Sequence, residues 1–338
     1  MKKFLTFIIS LCLASFTEAQ AQDLRFNGQG EFKIVQFTDL HYKLNDPRSD
    51  VALQCISEVL AKEQPQLAVF TGDNVYSHPG DSAMMKLVKH IEAQHVPFVM
   101  LFGNHDEEQG KPNSVLYDVI RKAKGNLMPD RGDNPSPDYV LEIKDKKGKK
   151  TEAALYCIDS HNHVRTQLEG EKGYAYITPE QVDWYRTESQ RMTQANGGTP
   201  LPALAFFHIP LPEYRLATAD GDCIMRGTRM ETPCSPKLNT GLFTNMRIKG
   251  DVMATFCGHD HDNDFTSMFH GLLLGYGRFS GGNTEYNHLH NGARVIVLKE
   301  GKREFDTWIR ERGNDNIIDR TSYPASYVKD DWKARPLK

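Results

Sequence analysis

Short runs rich in β-branched and aromatic residues recur along the chain, each ending in a polar cluster: FKIVQFTDLH (32–41), QLAVFTGDN (66–74), PFVMLFGNHDE (97–107), ALYCIDSH (154–161), PALAFFHIP (202–210) and VMATFCGHDH (252–261). Apolar runs of this length, closed by turn formers, predict buried strands. Between them, DVALQCISEVLAKE (50–63) and DSAMMKLVKHIEAQ (81–94) repeat apolar residues three and four apart, the spacing of one helix face. TPEQVDWYRTESQRM (178–192) opens with Thr178 as N-cap, Pro179 at the first helical position and Gln181 three residues on, a capping-box start. Strand followed by helix, in repetition, predicts a layered α/β domain.

The pattern changes further on. DYVLEIKDKKGKKTEAALYCIDS (138–160) reads as a hairpin turning at its lysine-rich centre, and that basic run is a solvated turn. FTSMFHGLLLGYGRF (265–279), ARVIVLKEG (293–301) and EFDTWIRER (304–312) predict successive antiparallel strands. A four-layer α-β-β-α sandwich, with two facing mixed β-sheets between outer helices, accommodates both halves. No internal repeat or linker divides residues 22–313, so they are expected to form one domain. Periodicity fades at about Asn314, and residues 314–338 are expected to be a C-terminal surface extension.

Composition changes this picture only at the N-terminus. Of 338 residues, 39% are hydrophobic and 25% charged, which fits a folded protein with a substantial core. Two lysines, an apolar run from Phe4 to about Phe16 and the small-x-small triplet Ala19-Gln20-Ala21 predict a signal peptide, residues 1–21, and a periplasmic or secreted mature chain. The alternative, a membrane anchor, would need a longer run to cross about 30 Å of hydrocarbon. Losing Lys2, Lys3 and Glu18 takes the formal charge from −3 to −4. That is too acidic for a general nucleic-acid partner relying on phosphate neutralisation. Cys157 and Cys257 fall inside strands and read as buried thiols; Cys223 and Cys234 flank a loop and leave a disulfide open.

The chemistry gathers where the strands end. Asp39 and His41, Asp73, Asn104 with His105 and Asp106, His208, and His259 with His261 each follow an apolar run. Singly, each is an ordinary turn residue. Ligands of α/β proteins bind beyond the carboxyl ends of strands, and five successive ends carrying imidazole, carboxylate or amide point to one site. Imidazole with carboxylate suits manganese, iron or zinc. Seven donors exceed the needs of one tetrahedral ion and match two ions that share a carboxylate.

In this order DLH, GDN, GNHD, the strand-end histidine of FFHIP, and GHDH resemble the calcineurin-like metallophosphoesterase superfamily, which includes the purple acid phosphatases; FHIPLPEY and GHDHDNDF resemble its purple-acid-phosphatase-like branch. The resemblance implies a dinuclear site of two divalent or mixed-valence transition-metal ions. Asp39, His41 and His261 would hold one ion, Asp73 would bridge, and Asn104, His208 and His259 would complete the second. His105, paired with Asp106, would act near the leaving group. The implied activity is hydrolysis of a small phosphate ester by metal-bound hydroxide, a phosphomonoester ahead of a nucleotide or lipid-headgroup diester; a non-catalytic phosphate-binding protein is the remaining alternative. Tyr76, three residues after Asp73, occupies the place of the colour-giving tyrosinate of purple acid phosphatases. With His41 also present, His41 is taken as the ligand and Tyr76 as packing beside it.

Other residues near these motifs are candidates for substrate contact: Asn104 again, His161 and His163 in DSHNHV, Tyr214 after FHIPLPE, and Arg226 or Arg229. Asp262 and Asp264 are expected to order their loop, and His288 and His290 to lie at the surface.

Overall fold

The computed structural model describes residues 24–130, 138–164 and 173–328. The expected signal peptide lies outside them, as do the last ten residues. In chain order the strands are β1 (Glu31–Phe37), β2 (Leu67–Thr71), β3 (Phe98–Leu101), β4 (Tyr139–Lys144), β5 (Thr151–Cys157), β6 (Ala203–Phe206), β7 (Ile224–Arg226), β8 (Val252–Cys257), β9 (Thr266–Phe269), β10 (Leu272–Tyr276), β11 (Gly292–Lys299), β12 (Phe305–Glu311) and β13 (Ile317–Tyr323). The α-helices are α1 (Asp50–Glu63), α2 (Gly80–Glu92), α3 (Asn113–Ile120), α4 (Pro179–Ala195), α5 (Pro212–Ala219) and α6 (Leu242–Lys249).

One sheet runs β13-β12-β11-β1-β2-β3 and the other β4-β5-β6-β8-β10-β9-β7. Both are mixed. β1, β2 and β3 are parallel, linked by α1 and α2; β5, β6, β8 and β10 are parallel in the second sheet. Side-chain alternation in β6 shows how the layers stack. Leu204 and Phe206 join the core between the sheets with Ile34, Ile296 and Phe305, while Ala203 and Ala205 face α4, α5 and α6 with Tyr185, Tyr214 and Met246. Helices α1 to α3 cover the outer face of the first sheet through Ile56, Leu87 and Leu116. The four-layer sandwich follows, and every parallel strand carrying a motif ends on the same rim.

Local signals work as the pattern predicts. Thr178 Oγ1 accepts from Gln181 N while Gln181 Oε1 accepts from Thr178 N, so α4 begins in a reciprocal capping box. The lysine-rich segment is the turn between β4 and β5. One boundary is corrected: β13 pairs antiparallel with β12, so the sheet continues through Tyr323 and does not give way to a surface extension at 314. An edge strand with alternating polar residues carries little periodic signal, because only one of its faces is buried. Cys223 and Cys234 are not joined by a disulfide, and Cys157 and Cys257 are buried. Among the described residues no helix is long and apolar enough to cross a membrane.

Candidate dinuclear metal centre

The site forms where strand ends from both sheets meet. Asp39 and His41 follow β1, Asp73 follows β2, and Asn104 follows β3; His208 follows β6, and His259 and His261 follow β8. The loops after β1 and β2 run side by side, tied by Asp39 N to Gly72 O (3.1 Å), His41 N to Asp73 O (2.9 Å) and Tyr42 N to Asn74 O (3.1 Å). In the second sheet the loops after β6 and β8 are joined by Gly258 N to His208 O (3.0 Å), and the two sheets are tied at the same level by Gln36, whose Nε2 donates to Cys257 O at 3.0 Å. Asp39, His41, Asp73 and His259 all take positive φ, from 44° to 79°. Such backbone is uncommon outside glycine, although Asp and His adopt it more readily than most residues, and it persists where surrounding contacts impose it, commonly at functional sites.

Those contacts turn one atom of each side chain inward. Asp73 Oδ1 accepts from His105 N (2.8 Å), leaving Oδ2 at 3.2 Å from His208 Nε2 and 3.7 Å from His41 Nε2. Oδ2 therefore faces both halves of the site, the geometry of a bridging carboxylate. Asp39 Oδ2 accepts from Thr38 Oγ1 (2.7 Å), both oxygens share the His259 N–H (3.0 Å to Oδ2, 3.2 Å to Oδ1), and Oδ1 lies 3.7 Å from His261 Nε2. His208 Nδ1 donates to Thr71 O (2.7 Å) and His261 Nδ1 to Tyr286 O (2.8 Å), which turns each Nε2 toward the centre, where it can ligate a metal ion. Asn104 Oδ1 lies 3.2 Å from His208 Nε2.

The ligand atoms fall into two trios, Asp39 with His41 and His261, and Asp73 with His208 and His259; within each, all lie within 4.8 Å of one another and all six residues are buried. His41 Nε2 and His261 Nε2 approach to 3.0 Å. Imidazole nitrogens and carboxylate oxygens gathered this closely are the donors that manganese, iron or zinc takes, so the donor set fits two metal ions.

Electrostatics agree. Burial pushes His41 and His259 well below the usual imidazole range, which keeps them neutral and able to ligate. Burial raises Asp39, whereas at Asp73 the facing His208 overcomes burial and holds the carboxyl well below its usual range. Burial opposes a charge on His208, but Asp73 outweighs it and pushes the ring up to about 10. The proton on its Nε2 is the one a metal ion displaces.

A family profile described as calcineurin-like phosphoesterase matches residues 32–263, the span of all these ligands. The chain belongs to that family. Its members are dinuclear metal-dependent phosphoesterases. Among curated relatives, a probable inactive purple acid phosphatase 14 of Arabidopsis thaliana is 31% identical over 89% of this chain and 83% of its own length. Phosphatase DCR2 of Saccharomyces cerevisiae is 30% identical over 88% of this chain and 57% of its own length. Among solved structures, a dimetal phosphatase from Danio rerio superposes with a TM-score of 0.59 at 14% identity, covering 85% of this chain and 98% of its own. Purple acid phosphatase PPD1 from yellow lupin seeds gives 0.56 at 12% identity, covering 88% and 54%. These two structures bear out the fold.

Within this phosphoesterase frame, two expected roles are corrected. Asp106 is not the partner of His105: it is fully buried, accepting from Gly103 N (2.8 Å), Asn74 N (2.9 Å) and Val75 N (3.0 Å), and so knits the loops after β2 and β3 together. Burial, reinforced by Asp73, pushes Asp106 up to about 7. His105 pairs instead with Glu108, whose Oε2 lies 2.5 Å from His105 Nδ1. Tyr214 is not a substrate contact. It sits on the sheet-facing side of α5, fully buried, with its hydroxyl 2.8 Å from Thr255 Oγ1 and donating to Gly275 O at 3.1 Å.

Other expectations hold in part. Tyr76 meets the His41 ring edge-on at 5.4 Å, outside both trios, in a packing role. His163 stacks on Tyr174 at 5.5 Å, and Tyr174 meets His259 at 4.4 Å; His161 turns instead to Gln181 Oε1, 2.8 Å away. Arg226 and Arg229 are exposed. Asp264 anchors Thr228 N and pairs with Arg278, and Asp262 accepts from His288 N, so both order their loops as expected. His288 is exposed, and His290 bonds Arg312 O at 2.7 Å. Three residues at the site went unread: Glu108, Tyr174, and Tyr286, whose ring stacks on His261 at 4.3 Å. Only Glu108 had a signal, lying three residues after His105 in HDEE, a spacing that faces side chains together on a helical turn.

Proposed function

We propose that the chain is an exported metal-dependent phosphatase that hydrolyses a phosphomonoester by direct attack of water, with no covalent phosphoenzyme. The observation that carries this reading is the complete pair of trios with Asp73 Oδ2 facing both. When bound by the two trios, a pair of metal ions would supply Lewis acidity, lowering the pKa of a water and balancing charge on the phosphoryl oxygens. Asn104, held through Oδ1 beside His208, has its amide nitrogen left to donate to the phosphoryl group. The oxygen of water forms the new bond to phosphorus, the ester P–O bond breaks, and the departing alkoxide takes a proton.

His105 is suited to give that proton. Its ring is one-third exposed at the edge of the site, with Nδ1 fixed on Glu108. Burial works against its charge, but Asp73 and Glu108 outweigh this, so its proton affinity is raised. The N-terminal lysines, apolar run and Ala19-Gln20-Ala21 support export.

The test is elemental analysis of the purified protein with hydrolysis of para-nitrophenyl phosphate and bis-para-nitrophenyl phosphate on the same sample. Two transition-metal ions per chain and preference for the monoester are expected. Preference for the diester would make it a phosphodiesterase. Sites that stay empty after reconstitution with manganese, iron and zinc, with both esters intact, would favour a non-catalytic binding protein, in keeping with the "probable inactive" name carried by an Arabidopsis relative.

A further inference from the structure

Between β10 and β11 the chain crosses the mouth of the site, and this connection touches all three ligands of one trio. Gly281 lies against the first of them: a Cβ there would come within 2.5 Å of Asp39 O. Thr284 Oγ1 donates to His41 O at 2.9 Å. Tyr286 accepts from His261 Nδ1 through its carbonyl at 2.8 Å, and its ring stacks on the same imidazole at 4.3 Å. The other trio draws support from the first sheet and its loops, through His105 N on Asp73 and Thr71 O on His208.

The first trio depends on such outside support. His41 Nδ1 is buried and has no hydrogen-bond partner among the described residues, so this ring lacks the tie through its second nitrogen that fixes His208 and His261. Its place is set by its backbone, which Thr284 grips, and by the rings of Tyr76 at 5.4 Å and His261 at 4.8 Å. The connection is in turn fastened to the loop after β8. Glu231 Oε2 accepts from the Tyr286 hydroxyl at 3.1 Å while its Oε1 accepts from Asp262 N at 2.7 Å, and Asp262 accepts from His288 N at 2.6 Å. Half of Tyr286 is exposed, so this fastening lies at the surface, where local opening costs far less than unfolding the core.

We propose that residues 281–288 form a strap that retains the ion of the Asp39, His41 and His261 trio, with Glu231 and Tyr286 as the positioning residues that keep it shut. Opening the strap releases this ion and leaves the other in place. The proposal rests on the two-ion centre, on which the phosphatase reading also depends, and needs no turnover. Support of this kind around a ligating imidazole is worth about 10–100-fold in metal affinity.

The test loads the protein with zinc and follows release of the ions to an excess of a chromogenic chelator, without substrate. Glu231→Ala and Thr284→Val act at separate points of the strap. Each should speed the same one of two release phases by about tenfold, leaving the other within about twofold. Where both ions leave the wild type in a single phase, each variant should split it into a fast half and an unchanged half. Glu231→Gln, whose amide still meets the Tyr286 hydroxyl and Asp262 N, should bring release back to within about threefold of wild type. A merely structural role would speed both phases alike and lower the unfolding temperature of the metal-free protein, followed by circular dichroism. Equal acceleration of both phases, acceleration of different phases by the two variants, or unchanged release in both would overturn the strap while leaving the two-ion centre standing. Failure of the wild type to hold zinc, manganese or iron would overturn both.

Discussion

Gly72, Gly103 and Gly258 immediately precede Asp73, Asn104 and His259, and each leaves out a side chain the site has no room for. A Cβ on Gly103 would lie 2.2 Å from Asp73 Oδ1 and 2.4 Å from Asp73 N; on Gly72, 2.7 Å from the His208 ring; on Gly258, 1.8 Å from Thr38 Oγ1. The motif glycines are thus spacing elements for ligands on a neighbouring loop. Gly103→Ala is expected to displace the Asp73 carboxylate, so that the folded protein holds fewer than two ions and kcat/KM drops by about a hundredfold or more; elemental analysis with circular dichroism checks both halves. Glu108→Gln should keep both ions yet lower kcat roughly tenfold, less for good leaving groups, because His105 loses the carboxylate that fixes it. Unchanged kcat on a poor leaving group such as phenyl phosphate would remove Glu108 from that role. The convergence of the seven candidate ligands was legible because each ends an apolar run, and strand ends share one rim. Asp106 and Tyr214 were misread because adjacency in sequence does not fix direction: the carboxylate of Asp106 turns into the loop backbone, and Tyr214 lies on the buried face of α5.

Among the elements, α4 joins local coding to the site wall. Its capping residue Gln181 also donates to Asp138 Oδ1 (2.9 Å) and receives His161, so the helix start holds the loop after β5 in place. Burial opposes charge on His161, but Asp159 and Gln181 outweigh it and push the ring up to about 9. A folded pKa above the unfolded value gives stabilisation that is complete below about pH 6.5 and is lost as pH rises through 9. With 35% of the ring exposed, solvent screening limits this to about 1 kcal/mol. Chemical denaturation of wild type and His161→Gln at about pH 6 and pH 9.5 should show a larger wild-type advantage at the lower value; equal differences at both would dismiss the linkage. Elements with strong periodicity, such as α1, α2 and the parallel strands, follow the sequence closely. β13 does not, since an edge strand buries too few residues to impress a pattern.

On the scale of the molecule, the buried carboxylates and imidazoles at the centre make its stability depend on metal. Removing tightly bound ions with a chelator should lower the melting temperature, by roughly 2–4 °C for each kcal/mol of lost binding energy. Calorimetry with and without re-added manganese or zinc checks this, and an identical melting temperature in both states would count against a loaded centre. The order of the strands has one more effect. Each trio draws on both sheets: Asp39 and His41 must wait for His261, and Asp73 for His208 and His259. During synthesis no metal site exists until more than two hundred and fifty residues have been made and the second sheet has closed on the first. The ions acquired are therefore those of the compartment in which the chain finishes folding, whatever metals surround the ribosome that made it.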